Sequence, residues 1–353
     1  MIIGAPITDR TVPTGKFAVL DGWRAISIVL VMAAHMLPLG PKSWQLNVTA
    51  ASFGMAMFFA LSGFLIVQSL LQHANVFEFL VRRLFRILPL AFVYLIFIGL
   101  VTGQSVRYWP IHLLFLENYI PLCPSRPDEV APFTGHFWSL CVEMHFYWLI
   151  GAWMGLTRFR GIWIVPGALI AVSVCKAVAG EYGTSMTHWR VDEILAGGTM
   201  ALIYRDQHMR AVANVVKFLP LLPLLTLLLL SCHPVFVSVG FECLRPYVAL
   251  CLIGNVVLNA DRPLLAPVAG PVARYIAKIS FALYVVHIFS MYGWLGSGDT
   301  KIIIYMKRPL CFLLSWGVAH LSSFTFEARM MAIGRTIIAA RRAGATVRTT
   351  QTV

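Results

Sequence analysis

The sequence predicts an all-α fold, a polytopic bundle of about ten transmembrane helices with both termini on the cytoplasmic side. Three observations predict it. Of 353 residues, 59% are hydrophobic and 12% charged, and the mean hydropathy is +0.77, a balance that does not suit a soluble domain. Apolar runs of spanning length, or close to it, recur along the whole chain. The basic residues alternate in density between the two ends of successive runs.

The runs fall at 17–37, 51–71, 87–102, 137–156, 161–180, 191–204, 216–232, 241–258, 275–297 and 309–325. The first follows sixteen mixed residues without a Lys/Arg cluster and precedes no small-residue cleavage site, so it reads as a retained helix and not a signal peptide. The second contains Gly54, Ser62 and Gly63, residues small enough to let helix backbones approach. The sixth is short, and its LAGGTM glycines suit close helix packing. Between the third and fourth runs, YWPIHLLFLENYIPL is too short and too broken by Pro110 and Pro121 to span. With Tyr108, Trp109 and Tyr119 it reads as a re-entrant or surface segment. His112, His136 and His188 fall near outer interfaces. The expected division is a transmembrane domain over 1–325 and a basic cytoplasmic tail over 326–353, suited to an anionic inner leaflet.

The net charge of +13 forms no single patch for nucleic acid; it follows the membrane. With the N-terminus inside, eighteen Lys/Arg lie in cytoplasmic segments and eight outside: Lys42, Arg107, Arg126, Arg190, Arg245, Lys301, Lys307 and Arg308. The seven cysteines form no CxxC and no Cys/His metal spacing, so no metal is expected. Cys123, Cys232 and Cys243 fall on the outer side, where one disulfide is permitted, but their apolar surroundings favour small core residues.

The most informative residues stand in the first run. Arg24 and His35 lie within RAISIVLVMAAH, in a setting that tolerates such side chains only when they work or are satisfied. Eleven residues return them to within roughly 20° of one face, while the helical rise separates them by roughly 16 Å. Arg24 is expected toward the inner leaflet and His35 toward the outer, with Asp21 three residues before Arg24 and able to pair with it. Arg82, Arg83 and Arg86 cluster at the start of the third run, and Glu143 stands deep in the fourth, seven residues after His136 on the same face.

LDGWRAISIVLVMAAH, FGMAMFFALSGFLIV, FLVRRLFRILP, FWSLCVEMHFY and KISFALYVVH resemble, in order, the signatures of the membrane acyltransferase 3 family. The resemblance implies a bundle of about ten helices in a bacterial inner membrane. It also implies transfer of an acyl group, usually acetyl, from acetyl-CoA inside the cell to a hydroxyl of a glycan or lipid-linked saccharide, such as lipopolysaccharide or exopolysaccharide, in contact with glycan-assembly machinery. The family's Arg-ten residues-His motif lands on Arg24 and His35, its Arg-x-x-Arg motif on Arg83 and Arg86, and its Trp-Ser-Leu-x-x-Glu motif on Trp138, Ser139, Leu140 and Glu143. The chain departs at Met144 and His145, where the common pattern has a second carboxylate and a glutamine. A late Tyr-x-x-His pattern matches Tyr284 and His287.

Acyl transfer from a thioester needs a base, oxyanion donors and cations for the phosphates of coenzyme A. His35 is thus expected to be the general base, or a transient acetyl carrier in a two-step route; the residues leave both open. Arg24 and Glu143 complete the expected catalytic set. Arg82, Arg83 and Arg86 are expected to anchor coenzyme A, and Trp138, Ser139, His136 and His287 to contact the acceptor. A small-molecule or lipid acceptor is the nearest rival reading. A secondary transporter, which would favour inverted repeats absent from this sequence, is the rival from another class.

Overall fold

The computed structural model describes residues 14–102, 109–122 and 131–350. Cys123, Tyr108, Arg10, Arg107 and Arg126 lie outside the described residues. Among the described residues every regular element is helical. The helices of nine residues or more are α1 (Thr14–Met36), α2 (Leu46–His73), α3 (Val76–Thr102), α4 (Trp138–Leu156), α5 (Ile164–Ala179) and α6 (Asp192–Arg205). They continue with α7 (Arg210–Phe218), α8 (Leu221–Cys232), α9 (Arg245–Leu258), α10 (Pro271–Val286), α11 (Arg308–Leu321) and α12 (Glu327–Thr350).

Among the described residues five helical stretches are long and apolar enough to cross a membrane: Ala18–Met36, Lys42–His73, Val76–Thr102, Phe241–Leu258 and Lys301–Ala343. Two of the predicted runs differ from single straight helices. The 216–232 run is broken, α7 and α8 meeting at 86°. Leu219, just before Pro220, takes the extended conformation that a following proline imposes, which ends α7 at Phe218. The 275–297 run is helical only to Val286; beyond it the chain makes tight turns at Phe289–Met291 and Gly293–Leu295. Gly293 has φ +61°, a conformation that glycine adopts without steric cost.

The chain forms two compact units. The first contains residues up to Gln72 and Ile162–Ser280. Its helices touch through glycines. A Cβ on Gly63 would lie 1.8 Å from the Ile194 carbonyl oxygen, and one on Gly197 1.8 Å from that of Ala60, so α2 and α6 meet backbone to backbone. Gly54 lets α2 approach Ser27 of α1 in the same way.

This unit also buries six charges in one network. Lys176 Nζ of α5 donates to Asp192 at 3.0 Å and to Glu242 at 2.9 Å. Arg190 donates to Glu193 at 2.7 Å and Glu242 at 3.3 Å, and Arg245 to Glu193 at 2.6 Å and Glu242 at 2.5 Å. The Gly183 amide donates to the other Glu242 oxygen. Three cations balance three carboxylates, which is how buried charge becomes tolerable. Burial alone would lower the pKa of Arg190, in the loop between α5 and α6, but Glu193, Glu242 and Asp192 outweigh it and raise it. Arg190 and Arg245 are therefore internal pairs and not solvated outer charges. Cys232 and Cys243 are free thiols, the former buried.

The second unit contains His73–Gly161 and Phe281 onward. Here α3 packs on α4, where Leu80 meets Gly151, and runs antiparallel to the α11–α12 stretch. Phe85 faces Gly334, and Glu78 pairs with Arg342. Residues 326 onward do not leave the fold as a separate tail; they continue α11 through a π-helical turn, Ser322–Phe326, into α12. The 109–122 segment is a short helix, Trp109–Leu113, followed by a 3-10 turn. Within it His112 is buried, its Nδ1 2.5 Å from Glu117 Oε2.

Candidate active site

In the first unit, α1 carries Arg24 and His35 along an unbroken helix. The one hydroxyl in its apolar stretch, Ser27, is satisfied by donating to the Trp23 carbonyl at 2.8 Å, so nothing interrupts the turn. Arg24 is buried, 9% exposed. His35 stands exposed in the last turn, its Nδ1 2.8 Å from the Val31 carbonyl oxygen. A carbonyl only accepts, so Nδ1 carries the hydrogen and Nε2 of the neutral ring holds the lone pair. This is the tautomer a general base or an acyl-accepting nucleophile requires.

In the second unit, the three arginines of α3 do not act alike. Arg82 Nη2 donates to Glu78 at 3.1 Å, and Arg342 of α12 grips the same carboxylate with Nε at 2.6 Å and Nη2 at 2.5 Å. Arg83 turns to α4, its guanidinium 5.7 Å from the Tyr147 ring, which Phe79 also meets edge-on. Arg86 stands one turn after Arg82 on α3, and the Glu327 carboxylate of α12 accepts from Ser322 and Ser323 in the π turn. Glu143, one turn before Tyr147 on α4, accepts the Tyr147 hydroxyl at 2.5 Å and is buried. Arg83, Tyr147 and Glu143 thus form a chain of contacts from the arginine motif to the Trp-Ser-Leu-x-x-Glu motif.

The start of α4 and the end of α10 build a second polar cluster in this unit. The Tyr284 hydroxyl donates to the His136 carbonyl and lies 2.5 Å from Ser139 Oγ. His136 Nε2 donates to the Val285 carbonyl at 3.1 Å, and His287 Nδ1 to that of Tyr284 at 2.7 Å. The two imidazoles lie 5.3 Å apart between centroids, both buried. Trp138 is half-buried beside them in sequence at the helix start.

The expected site residues therefore fall in two sets. Arg24 and His35 belong to the first unit; Arg82, Arg83, Arg86, His136, Trp138, Ser139, Glu143 and His287 belong to the second. Within the second, Ser139, His136 and His287 come together around Tyr284, and Arg83 meets Glu143 through Tyr147. Tyr147 was missed, although its place four residues after Glu143 signalled it. Glu327 and Arg342 were missed because both were assigned to a tail beyond the bundle.

A family model described as an acyltransferase domain matches residues 17–324. The chain is 22% identical to nodulation protein 10 of Rhizobium leguminosarum bv. viciae over 90% of this chain and 95% of that protein. It is 29% identical to the acyltransferase MdmB of Streptomyces mycarofaciens over 36% of this chain and 35% of that one. It is 25% identical to a Staphylococcus aureus (strain COL) protein provisionally named an O-acetyltransferase, over 52% of this chain and 29% of that one. The matches to the last two span well under two thirds of those proteins' own length. No solved structure matches the chain. The family match takes in the α1 helix with its histidine, the arginines of α3 and the α4 carboxylate alike, and on it the chain belongs to the acyltransferase 3 family and is a membrane acyltransferase.

Proposed function

We propose that this enzyme moves an acetyl group from acetyl-CoA, taken from the cytoplasmic side of a bacterial inner membrane, to a hydroxyl of a cell-surface glycan or of its lipid-linked precursor. The observation that carries this reading is His35, whose Nδ1 hydrogen is held by the Val31 carbonyl while Nε2 keeps its lone pair. In the direct route Nε2 takes the acceptor hydroxyl proton as that oxygen attacks the thioester carbonyl carbon. The carbon–sulfur bond then breaks, and the leaving thiolate takes the proton from the imidazolium, returning His35 to neutrality. In the two-step route Nε2 itself attacks the carbonyl carbon and the thiolate leaves as the carbon–sulfur bond breaks. The acceptor hydroxyl oxygen then attacks the acetylated imidazolium, the nitrogen–carbon bond breaks, and the hydroxyl proton passes to the thiolate, returning His35 to neutrality.

Arg24, roughly 16 Å further along the same helix, suits the pyrophosphate at the other end of an extended pantetheine arm. Within the second unit, the guanidinium groups of Arg83 and Arg86 are suited to phosphate, which arginine binds bidentately. Glu143 and the cluster of His136, Ser139, Tyr284 and His287, with Trp138, are suited to sugar hydroxyls. Ten spans accommodate the helices if α1 to α6, the bent α7–α8 pair, α9, α10 and α11 each cross once, which leaves both termini inside. The imbalance of basic residues supports that orientation.

The test is ester-linked acetyl measured by NMR in surface glycans of cells lacking the protein and complemented with wild type or His35→Ala at equal membrane expression. Wild type should restore the signal and His35→Ala should reduce the rate by about 10²–10⁴-fold. Full restoration by the variant would remove His35 from the chemistry. No acetyl signal dependent on the protein would remove the glycan acceptor or the acetyl donor.

A further inference from the structure

Within the second unit, α3, α11 and the end of α10 enclose an apolar groove of about 290 Å³, whose lining includes Tyr94, Phe97, Val286, Leu314 and Val318. Phe97, Leu314 and Val318 are exposed, so the groove opens sideways toward lipid. Two hydroxyls belong to the lining. Ser290 is satisfied, its Oγ donating to the His287 carbonyl at 2.6 Å. Ser315 is 1% exposed, and its Oγ makes no hydrogen bond among the described residues, although a helical serine can donate to the carbonyl one turn back. A water would not settle there, since a buried water needs about two to four polar partners. Two turns before Ser315 on the same face of α11, roughly 10 Å along the axis, stands Arg308. It is half-buried, and its Nε and Nη1 are buried without a hydrogen-bond partner among the described residues. Its guanidinium lies 6.0 Å from the Tyr305 ring centre. The neighbouring Lys307, by contrast, is spent on the carbonyls of Trp294 and Ser297, both at 2.8 Å. An unsatisfied guanidinium beyond the end of an apolar groove matches an amphiphile with an anionic head, and phosphate is the anion that guanidinium grips best.

We propose that this groove seats the hydrocarbon chain of an acceptor saccharide carried on a polyprenyl phosphate, with the phosphate on Arg308. The proposal rests on the reading of His136 and His287 as contacts for the acceptor's sugar, because the groove ends against them. The Tyr94 ring meets that of His136 edge-on at 5.9 Å between centroids. His136 donates to the carbonyl of Val285, next to Val286 of the lining, and Ser290 bonds the His287 carbonyl. A phospholipid fits less well on two counts. It brings two chains to a single groove, and a saturated chain offers the Ser315 hydroxyl nothing. Each isoprene unit instead carries a double bond, whose π electrons accept weakly from a hydroxyl.

The experiment measures, by native mass spectrometry, binding of undecaprenyl phosphate and of undecaprenol, which lacks the phosphate, to the full chain in phosphatidylcholine nanodiscs. Wild type is compared with Arg308→Gln, which removes the charge, and with Val318→Trp, which fills the groove from its exposed edge and so spares the fold. Arg308→Gln should weaken undecaprenyl phosphate by about tenfold or more while leaving undecaprenol unchanged, and Val318→Trp should weaken both. Equal binding of undecaprenyl phosphate by all three proteins overturns the site. If phosphatidylglycerol competes as well as undecaprenyl phosphate, the groove takes any anionic lipid and the proposal falls. Acetyl esters on surface glycans are then read in cells carrying the same variants. Esters that need the protein but are indifferent to both substitutions mean an acceptor without a lipid carrier, which overturns the proposal and leaves the glycan reading standing. Binding as expected, with no acetyl ester dependent on the protein, upholds the lipid site and overturns the glycan reading.

Discussion

Tyr147 touches both motifs of the second unit, donating to Glu143 on one side and offering its ring to Arg83 on the other. The two contacts separate on substitution. Tyr147→Phe keeps the ring and removes the donor, so a buried carboxylate loses a hydrogen bond worth about 1.5–3 kcal/mol. The thermal midpoint of the purified protein should fall, while the KM for the proposed acetyl-CoA donor stays at its wild-type value because the ring under Arg83 remains. An unchanged midpoint would mean that Glu143 finds another donor at no cost. The Glu143–Tyr147 pair was readable in the sequence as an i, i+4 helical neighbour. The Glu78 pairing with Arg342 was not, since 264 residues separate them and no local periodicity reports such a contact.

At the scale of elements, glycine spacing predicted close helix approach in α2 and α6, and the structure shows which backbones meet. Gly63→Ala and Gly197→Ala each place a carbon against a carbonyl oxygen, a clash that a flexible side chain could relieve but a helix backbone cannot. Each should destabilise by about 1–3 kcal/mol or more, whereas Gly167→Ala of α5, where a Cβ would meet nothing within 4 Å, should leave the midpoint unchanged or raise it. Detergent-solubilised thermal melts of the three variants check this, and equal melts would refute the tight α2–α6 contact. The elements misjudged from sequence share one cause. Hydropathy reports preference for lipid, not helical continuity, so the apolar stretch beyond Val286 and the break at Pro220 both read as uninterrupted spans.

At the scale of the whole molecule, the network of Lys176, Asp192, Glu193, Arg190, Glu242 and Arg245 ties α5, α6 and α9 together inside the first unit. Lys176→Met should cost about 3–5 kcal/mol, because Asp192 then stays buried without its cation. Adding Asp192→Asn should recover much of that loss, since the remaining pair is neutral. Thermal unfolding of the single and double variants decides it; a double variant no better than the single would show that Lys176 acts through packing. Arg190 and Arg245 answer to carboxylates inside the unit. Most of the helices were legible because they coincide with apolar runs, whereas the short α7 and the polar α12 do not. The network was not, because its members are scattered single charges whose meeting depends on the packing of three helices.

The helix from Arg308 to Thr350 is roughly 65 Å long at 1.5 Å per residue, about twice the hydrocarbon thickness. Its Ser322–Phe326 turn is π-helical and so carries more residue per turn than its neighbours. That surplus sets the angular phase between the two halves of one rod. Upstream, Leu314, Ser315 and Val318 face Leu90, Tyr94 and Phe97 of α3 across an apolar cavity; downstream, Met331, Arg335, Ile338 and Arg342 face Arg82 and Phe85. Removing a single residue from the turn would rotate the downstream stripe by roughly 100° about the axis, carrying Arg342 off Glu78 with every side chain still present. Five residues at mid-rod therefore act as a timing mark, and through them the far end of the helix is indexed to α3.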